Sequence, residues 1–175
     1  ANDRESIAKS LFELLESHNA VVEKYVHFAG LTKLTPIKAT SIDIINTIFN
    51  VNLFSIFEIV KVLLKKINHK ALRNIVLISA LVSERGNIGN SVYAASKGAI
   101  NSLTYTLARE LSPDIRVNAL MPGAIETPMT ANLDSQYIEE MTHDTPLGWG
   151  SPQDVVDYIE FLFSEKSKWI TGQTM

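Results

Sequence analysis

The sequence predicts an α/β fold, a doubly wound parallel sheet with helices on both of its faces. Short runs rich in β-branched and aromatic residues alternate along the chain with segments in which apolar residues recur at helical spacing. Strands that alternate with helices of this length are joined by right-handed crossovers, which makes the strands parallel. The 175 residues, of which 46% are hydrophobic and 20% charged, suit one soluble domain with a substantial core. We therefore expect a single domain over residues 1–175.

The first half of the chain contains two predicted helices and one predicted strand. Ile7 and Leu11 belong to a helical repeat, so the chain opens on a surface helix. Residues 21–28 form a short apolar run that predicts a strand buried on both faces. Residues 41–66 predict a long helix that is apolar almost all round. The stretch is long enough to span a bilayer, but polar and charged residues interrupt it, which favours a buried helix and no membrane.

The second half of the chain repeats the alternation of strands and helices. Strands are predicted at 74–79, at 115–120 and from Trp169 onward, and helices at 93–111 and 152–164. Pro113 stops the first of these helices. Ser151 is the predicted N-cap of the second helix, and Pro152 takes its first helical position.

Charge and cysteine content exclude several classes of function. The formal net charge of −3 gives no basic field for nucleic acid or anionic lipid. The absence of cysteine excludes disulfides, thiolate metal sites and cysteine nucleophiles, and it fits a reducing compartment. The histidines have no metal-ligand spacing. We therefore expect a cytoplasmic protein with no metal site and no nucleic-acid partner.

Tyr93 and Lys97 are the candidate reactive pair. They stand four residues apart at the start of a predicted helix, which places their Cβ atoms about 5 to 6 Å apart on one face. A neighbouring ammonium favours the phenolate and lowers the pKa of a tyrosine, so Tyr93 is a candidate general acid and base. Ligands of parallel sheets bind beyond the carboxyl ends of the strands. Here those ends are Ala29-Gly30, Ser79-Ala80 and Pro122-Gly123, and Tyr93 follows shortly after the second.

Six short motifs, taken together, resemble the short-chain dehydrogenase/reductase family. They are Ala29-Gly30, Asn50-Val51-Asn52, Tyr93-Ala94-Ala95-Ser96-Lys97, Arg116-Val117-Asn118, Pro122-Gly123-Ala124-Ile125-Glu126-Thr127-Pro128 and Ile170-Thr171-Gly172-Gln173. Their order and spacing over essentially the whole chain are typical of that family, and two of them are most similar to its 3-oxoacyl thioester reductases. The resemblance implies a Rossmann-like sheet and an NAD- or NADP-dependent oxidoreductase.

The resemblance also implies roles for individual residues. Tyr93 would protonate a carbonyl oxygen or deprotonate an alcohol, and Lys97 would lower the Tyr93 pKa and hydrogen-bond the nicotinamide ribose. Asn52 would interrupt its helix and hold a water of the proton relay; its alternative reading is an ordinary satisfied helix asparagine. The other positions expected at the cofactor are Ala29, Gly30, Pro122, Gly123, Ile125 and Thr127. Residues 129–147 would form the substrate lid.

The sequence departs from the family pattern at the strand end before Tyr93. The family has a serine there that donates a hydrogen bond to the substrate carbonyl, and this chain has Ala80, whose methyl group cannot donate. Ser79 is expected to face away from the site, because successive strand residues point to opposite faces. Ser83 would reach the site only after a local rearrangement. His27 also replaces a usual asparagine, and we expect it to be structural.

A glycine-rich turn for the cofactor pyrophosphate does not occur in the sequence. We therefore expect residues 1–175 to be the C-terminal two-thirds of a family domain, with an incomplete sheet and an unpaired edge at the strand 21–28. Such residues would belong to a longer polypeptide.

Two functions stay open on the sequence. The first is hydride transfer between NAD(P)(H) and a small carbonyl or secondary-alcohol substrate, with an acyl thioester as one candidate. The second is a catalytically silent member of the family that serves binding or assembly, which Ala80 favours. In the family the helices 41–66 and 93–111 pair with their twins about a two-fold axis, so we expect a homodimer or homotetramer.

Overall fold

A computed structural model of the chain describes residues 3–128, 130, 138, 139, 142 and 145–175. Three parallel strands form its sheet, in the order β1 (Lys24–His27), β2 (Asn74–Ile78) and β3 (Arg116–Leu120). Both pairs are in parallel register, with Val26 beside Val76 and Val76 beside Asn118. The parallel direction and the alternation with helices confirm the predicted α/β fold.

Six α-helices with defined bounds accompany the sheet in the described residues, besides short 3-10 turns at Ile37–Ala39, Lys66–Asn68 and Glu165–Ser167. They are α1 (Asp3–His18), α2 (Ile42–Phe49), α3 (Ser55–Leu63), α4 (Val82–Arg85), α5 (Ser91–Glu110) and α6 (Pro152–Phe163). A π-helical turn, Asn50–Phe54, joins α2 to α3. The predicted helix 41–66 is therefore a continuous helix over residues 42–63 that is interrupted by π-helical hydrogen bonding in its middle. The predicted start of α6 is confirmed, because Ser151 and Asp154 exchange side-chain and backbone hydrogen bonds in a capping box.

The core lies on both faces of the sheet. On one face, Ile75 and Val117 pack with buried residues of α3 and α5, and α1 covers α3. On the other face, Val76 packs with Leu162 of α6. Neighbouring residues of a strand point to opposite faces, so a strand between two helical layers is mostly apolar along its whole length. The unbroken apolar run of β2 is therefore the sequence signature of a sheet covered on both sides.

The prediction for the first strand was wrong in extent and in burial. β1 has only four residues, and the two ends of the predicted run lie outside the ladder, with Val21 45% and Phe28 56% exposed. In the part of the chain that the structure describes, β1 pairs with β2 alone. Burial of a strand depends on its neighbours in the sheet, which its own apolar composition does not report.

The C-terminal segment, predicted as a fourth strand from Trp169 onward, pairs with β3 over a shorter stretch than predicted. Trp169 is exposed, and the first backbone-to-backbone bond with the sheet is made by Gly172, whose N–H donates to the Val117 carbonyl at 2.7 Å. Thr174 then forms a parallel bridge with Ala119. Gly172 has φ of +69°, a left-handed conformation that turns the chain onto the sheet edge and that glycine adopts without strain. The predicted fourth strand is therefore present only as a single parallel bridge, at the predicted edge of the sheet.

Ile42–Leu63 is long and apolar enough, by length and composition, to cross a membrane. Core helices of soluble proteins share this property. In this fold α3 packs against α1, and α2 packs against α5. These contacts bury part of its apolar surface, 28% of the apolar window.

Candidate active site

A cleft of about 1150 Å³ opens where β2 and β3 end. Most of the residues expected at the site from the sequence line it, namely Gly30, Ala80, Tyr93, Lys97, Pro122, Gly123, Ile125 and Thr127. Ala29 and Asn52 do not line the cleft. Carboxyl ends of parallel strands meet at one edge of a sheet, which is why motifs far apart in sequence converge here.

Lys97 is held at the floor of the cleft with almost no exposure to solvent. Its Nζ donates a hydrogen bond to the Ile78 carbonyl oxygen at 2.6 Å and lies 5.7 Å from the centroid of the Tyr93 ring. Burial lowers the pKa of Lys97 to about 8, because a low-dielectric environment disfavours its charged form. Ser79 Oγ donates to the Lys97 backbone carbonyl at 2.9 Å and fixes α5 against the end of β2. The predicted helical pair is therefore brought together at the strand end.

Gly30 lies directly against the buried polar groups of the site. A Cβ atom built on Gly30 would stand 3.5 Å from Lys97 Nζ and 3.8 Å from Asn52 Oδ1. The missing side chain leaves the backbone at the end of β1 open to a ligand in the cleft. A Cβ atom on Gly123, beyond β3, would make ordinary contacts with Thr145 Cγ2 at 3.8 Å and Leu81 Cδ2 at 3.9 Å.

Asn52 is completely buried in the π-helical turn and holds the segment that follows Gly30. Its Oδ1 accepts from the Leu31 N–H at 2.7 Å, while its Nδ2 donates to the Leu31 carbonyl at 3.0 Å and to Ser96 Oγ at 2.9 Å. The expected interruption of the helix at Asn52 is confirmed by the π turn. The side chain joins Leu31, in the segment after β1, to Ser96 of α5 and so acts as a clamp, and the water of the proton relay stays a prediction.

Ala80 faces the cleft, and neither neighbouring serine replaces its missing hydroxyl. Ser79 borders the cleft, contrary to the expectation that it faces away, but its hydroxyl is bonded to the Lys97 carbonyl. Ser83 lies in α4, where its Oγ accepts from Asn101 Nδ2 at 3.0 Å and approaches Met121 Sδ at 3.8 Å. Both hydroxyls thus serve packing of the elements around the cleft.

His27, at the end of β1, belongs to a buried polar cluster below Gly30. Its Nδ1 lies 2.6 Å from Tyr25 Oη and its Nε2 lies 3.4 Å from Ser55 Oγ. Burial, together with the nearby Lys97 charge, lowers the pKa of His27 to about 4, and burial raises the pKa of Tyr25. A neutral, fully enclosed imidazole of this kind agrees with the predicted structural histidine.

The segment after β3 is pinned by a second short stretch of parallel pairing. Ile125 bridges to Gly150, and the Gly150 N–H donates to the Ala124 carbonyl at 2.9 Å. A Cβ atom on Gly150 would lie 2.8 Å from Ile125 Cδ1, so glycine permits this close approach. The Thr127 N–H donates to Thr130 Oγ1 at 2.9 Å and tightens the following turn. These bonds hold residues 122–127 as one wall of the cleft.

Sequence reasoning missed the backbone acceptor of Ile78 and the clamp on Leu31, because a main-chain group has no residue-specific signal. It also missed Arg85, which lines the cleft from the end of α4. The predicted lid, residues 129–147, lies largely outside the described residues. Within that range Thr130, Glu139 and Thr145 are described and line the cleft.

The small residues at two strand ends and the buried lysine between them fit a nicotinamide cofactor. Gly30 and Gly123 line the cleft together with Lys97 and Tyr93, and the volume of the cleft accommodates a nicotinamide ribose and a substrate together. Tyr93 and Lys97 are among the polar side chains that line the cleft.

One family model and several characterised proteins match this chain over most of its length. The family model described as enoyl-(acyl carrier protein) reductase matches residues 1–175. The 3-oxoacyl-[acyl-carrier-protein] reductase of Thermotoga maritima is 33% identical over 99% of this chain and 71% of its own length. The human (3R)-3-hydroxyacyl-CoA dehydrogenase is 37% identical over 86% of this chain, and the match spans 59% of that relative.

Two solved structures share the fold closely. A short-chain dehydrogenase/reductase from Brucella melitensis, described as a glucose/ribitol dehydrogenase, superposes with a TM-score of 0.86 at 32% identity, covering 98% of this chain and 69% of that one. A 4-hydroxyisoleucine dehydrogenase complexed with NADH gives a TM-score of 0.88 at 29% identity, covering 95% of this chain and 71% of that one.

Proposed function

The chain belongs to the short-chain dehydrogenase/reductase family, and we propose on that basis that it interconverts a carbonyl and a secondary alcohol with NAD(P)(H) as cofactor. The observation that carries the proposal is the pairing of Tyr93 with a buried Lys97 beside Gly30 in one cleft. The bound cofactor would supply or accept the hydride. The chain would supply the proton, the orientation of the substrate and the exclusion of water.

Tyr93 is the proposed proton donor in reduction and the proton acceptor in oxidation. As the carbonyl carbon gains a hydride, its oxygen takes the Tyr93 hydroxyl proton, so a neutral alcohol and a phenolate result. The Lys97 ammonium, fixed by the Ile78 carbonyl, favours that phenolate electrostatically. With a pKa of about 8, Lys97 is mostly charged at neutral pH, which suits this role.

The substrate is proposed to be a 3-oxoacyl or 3-hydroxyacyl thioester. Relatives from Thermotoga maritima and human are named for such substrates. Much of the cleft wall is apolar, as an acyl chain requires, and its apolar side chains include Phe28, Leu34, Leu81, Val82, Val155 and Val156.

The proposal is tested by steady-state kinetics on the full-length protein. Oxidation of NADH and of NADPH would be followed with acetoacetyl-CoA and with a panel of uncharged ketones. Tyr93→Phe should remove turnover while cofactor binding is retained, because only the acidic hydroxyl is lost. Tyr105→Phe is the matched control, since Tyr105 lies on the same helix, outside the cleft, and its hydroxyl meets Thr174. Equal turnover of the two variants would contradict the proposal.

A second candidate function is binding or assembly without catalysis, and Ala80 is the observation that favours it. The position that donates to the carbonyl in the family lines the cleft here with a methyl group. A silent protein would bind NAD(P)H and show no turnover with any substrate of the panel. Restoring the donor as Ala80→Ser would then give no activity either, whereas an enzyme would gain rate.

Self-association through the helices 41–66 and 93–111 remains our expectation. Phe57 on α3 and Tyr105 on α5 are large side chains left 43% and 46% exposed in the single chain, which supports a covering partner. Sedimentation equilibrium at micromolar concentration gives the mass directly. A mass equal to one chain would contradict this expectation.

A further inference from the structure

Two cationic side chains line the described part of the cleft, and their surroundings differ. Lys97 is buried, and its ammonium is bonded to Ile78. Arg85 is exposed at the end of α4, so it lies where the cleft meets solvent. Among the described residues the ion pairs are Lys9 with Glu13 and Lys61 with Glu58, and neither involves Arg85. The Arg85 guanidinium is therefore available to a ligand.

The backbone that carries Arg85 is well fixed. Its N–H donates to the Leu81 carbonyl at 3.2 Å, and the following Gly86, with φ of +70°, ends the helix by donating to the Val82 carbonyl at 2.9 Å. The Ser83 contacts with Asn101 and Met121 tie the same short helix to α5 and to the end of β3. The position of Arg85 relative to the reaction centre is thus set by the fold.

The chain between the reaction centre and Arg85 is apolar on its cleft side. Ala80, Leu81 and Val82 line the cleft in succession before Arg85. A guanidinium offers five donors in a planar fork, a geometry that matches carboxylate and phosphate oxygens. We propose that Arg85 is a specificity-determining residue that binds an anionic group of the substrate, a carboxylate or a phosphate, while the reacting carbonyl lies at Tyr93. This inference rests on the proposed function and deepens it.

The test compares each anionic substrate with an uncharged analogue that keeps the same reacting group. Acetoacetate and its ethyl ester form a carboxylate pair; acetoacetyl-CoA and the acetoacetyl thioester of N-acetylcysteamine form a phosphate pair. Arg85→Gln should lower kcat/KM for the anionic member of one pair by about 10- to 100-fold, mainly through KM. The uncharged member and the KM of the cofactor should not change. The pair that responds identifies the anion.

Two further variants separate charge recognition from other roles. Arg85→Lys keeps the charge without the fork and should recover part of the lost kcat/KM. Glu139→Gln tests whether Arg85 instead closes the cleft by pairing with Glu139, the acidic side chain that also lines the described cleft. If Glu139→Gln reproduced the Arg85→Gln losses, or if charged and uncharged substrates lost rate equally, the proposal would be overturned.

A binding measurement keeps the inference separate from the proposed function. Calorimetric titration with 3-hydroxybutyrate and with its methyl ester, and with coenzyme A and N-acetylcysteamine, needs no turnover. We expect the wild-type protein, and not Arg85→Gln, to prefer the anion of one pair, with a preference that weakens as salt is added. Lack of turnover with an intact anion preference would overturn only the oxidoreductase function. Turnover without any anion preference would overturn only the role of Arg85.

Discussion

The Nζ atom of Lys97 lies 2.6 Å from the carbonyl oxygen of Ile78, the last residue of β2. This bond connects the first turns of α5 to the strand end from which the cleft opens. A buried ammonium loses most of its hydration, and one carbonyl dipole replaces only part of it. The burial of the Lys97 ammonium is therefore energetically unfavourable, and the ammonium lies beside Tyr93, whose phenolate it would stabilise.

The burial of Lys97 predicts a conflict between stability and activity. Its pKa is lowered from 10.5 to about 8, so between these values the folded protein binds fewer protons than the unfolded chain and stability rises with pH. Lys97→Met should raise the free energy of unfolding at pH 7 by about 1 to 3 kcal/mol and abolish turnover. The gain should shrink toward pH 10, where wild-type Lys97 is neutral when folded. Urea denaturation at both pH values measures it, and a destabilised variant at pH 7 would contradict the prediction.

Ala80 predicts that the natural protein turns over slowly and can be improved. Ala80→Ser places a hydroxyl on the cleft wall, and one added donor to a developing oxyanion is worth about 10²- to 10³-fold in kcat. Ala80→Gly is the control, since it changes the volume without adding a donor. The measurement is kcat of the wild-type protein, Ala80→Ser and Ala80→Gly with the same substrate. A rate for Ala80→Ser no higher than that for Ala80→Gly would show that the hydroxyl does not reach the substrate.

The Asn52 clamp predicts a coupled loss of stability and cofactor binding. Asn52→Ala removes the partners of both Leu31 backbone groups and should cost about 1 to 3 kcal/mol of unfolding free energy. The freed segment next to Gly30 should also bind NAD(P)H more weakly. Asn46→Ala, an exposed position on α2, is the matched control. Chemical denaturation and cofactor fluorescence titration provide the two readouts, and unchanged values in both would exclude the clamp.

The buried His27 predicts a loss of stability in mild acid. Its pKa of about 4 in the folded protein lies below the 6.5 of an ordinary histidine. The unfolded chain therefore binds more protons between these values, so stability falls as pH drops from 6.5 toward 4, by up to about 3 kcal/mol. His27→Gln should remove this part of the pH dependence. His18→Gln, on the exposed face of α1, should leave it intact. Thermal unfolding across this pH range compares the three proteins.

The alternation of strands and helices, the cap at Ser151 and the pairing of Tyr93 with Lys97 followed from the sequence alone. Each depends on residues within a few positions of one another, where backbone geometry fixes which side chains meet. The convergence of Gly30, Tyr93 and Pro122 was also predictable, because carboxyl ends of parallel strands share one edge of a sheet.

Only the tertiary structure decided what surrounds these residues. The bond from Lys97 to Ile78, the clamp of Asn52 on Leu31 and the cluster of His27 with Ser55 each join groups 19 to 28 positions apart. Two of these partners are backbone groups, which every residue possesses, so composition gives no sign of them. Burial likewise depends on the neighbours of an element. The length and burial of β1 could therefore not be predicted from its own residues. The sequence determined which chemistry the cleft can perform, and packing decided how its charges are held.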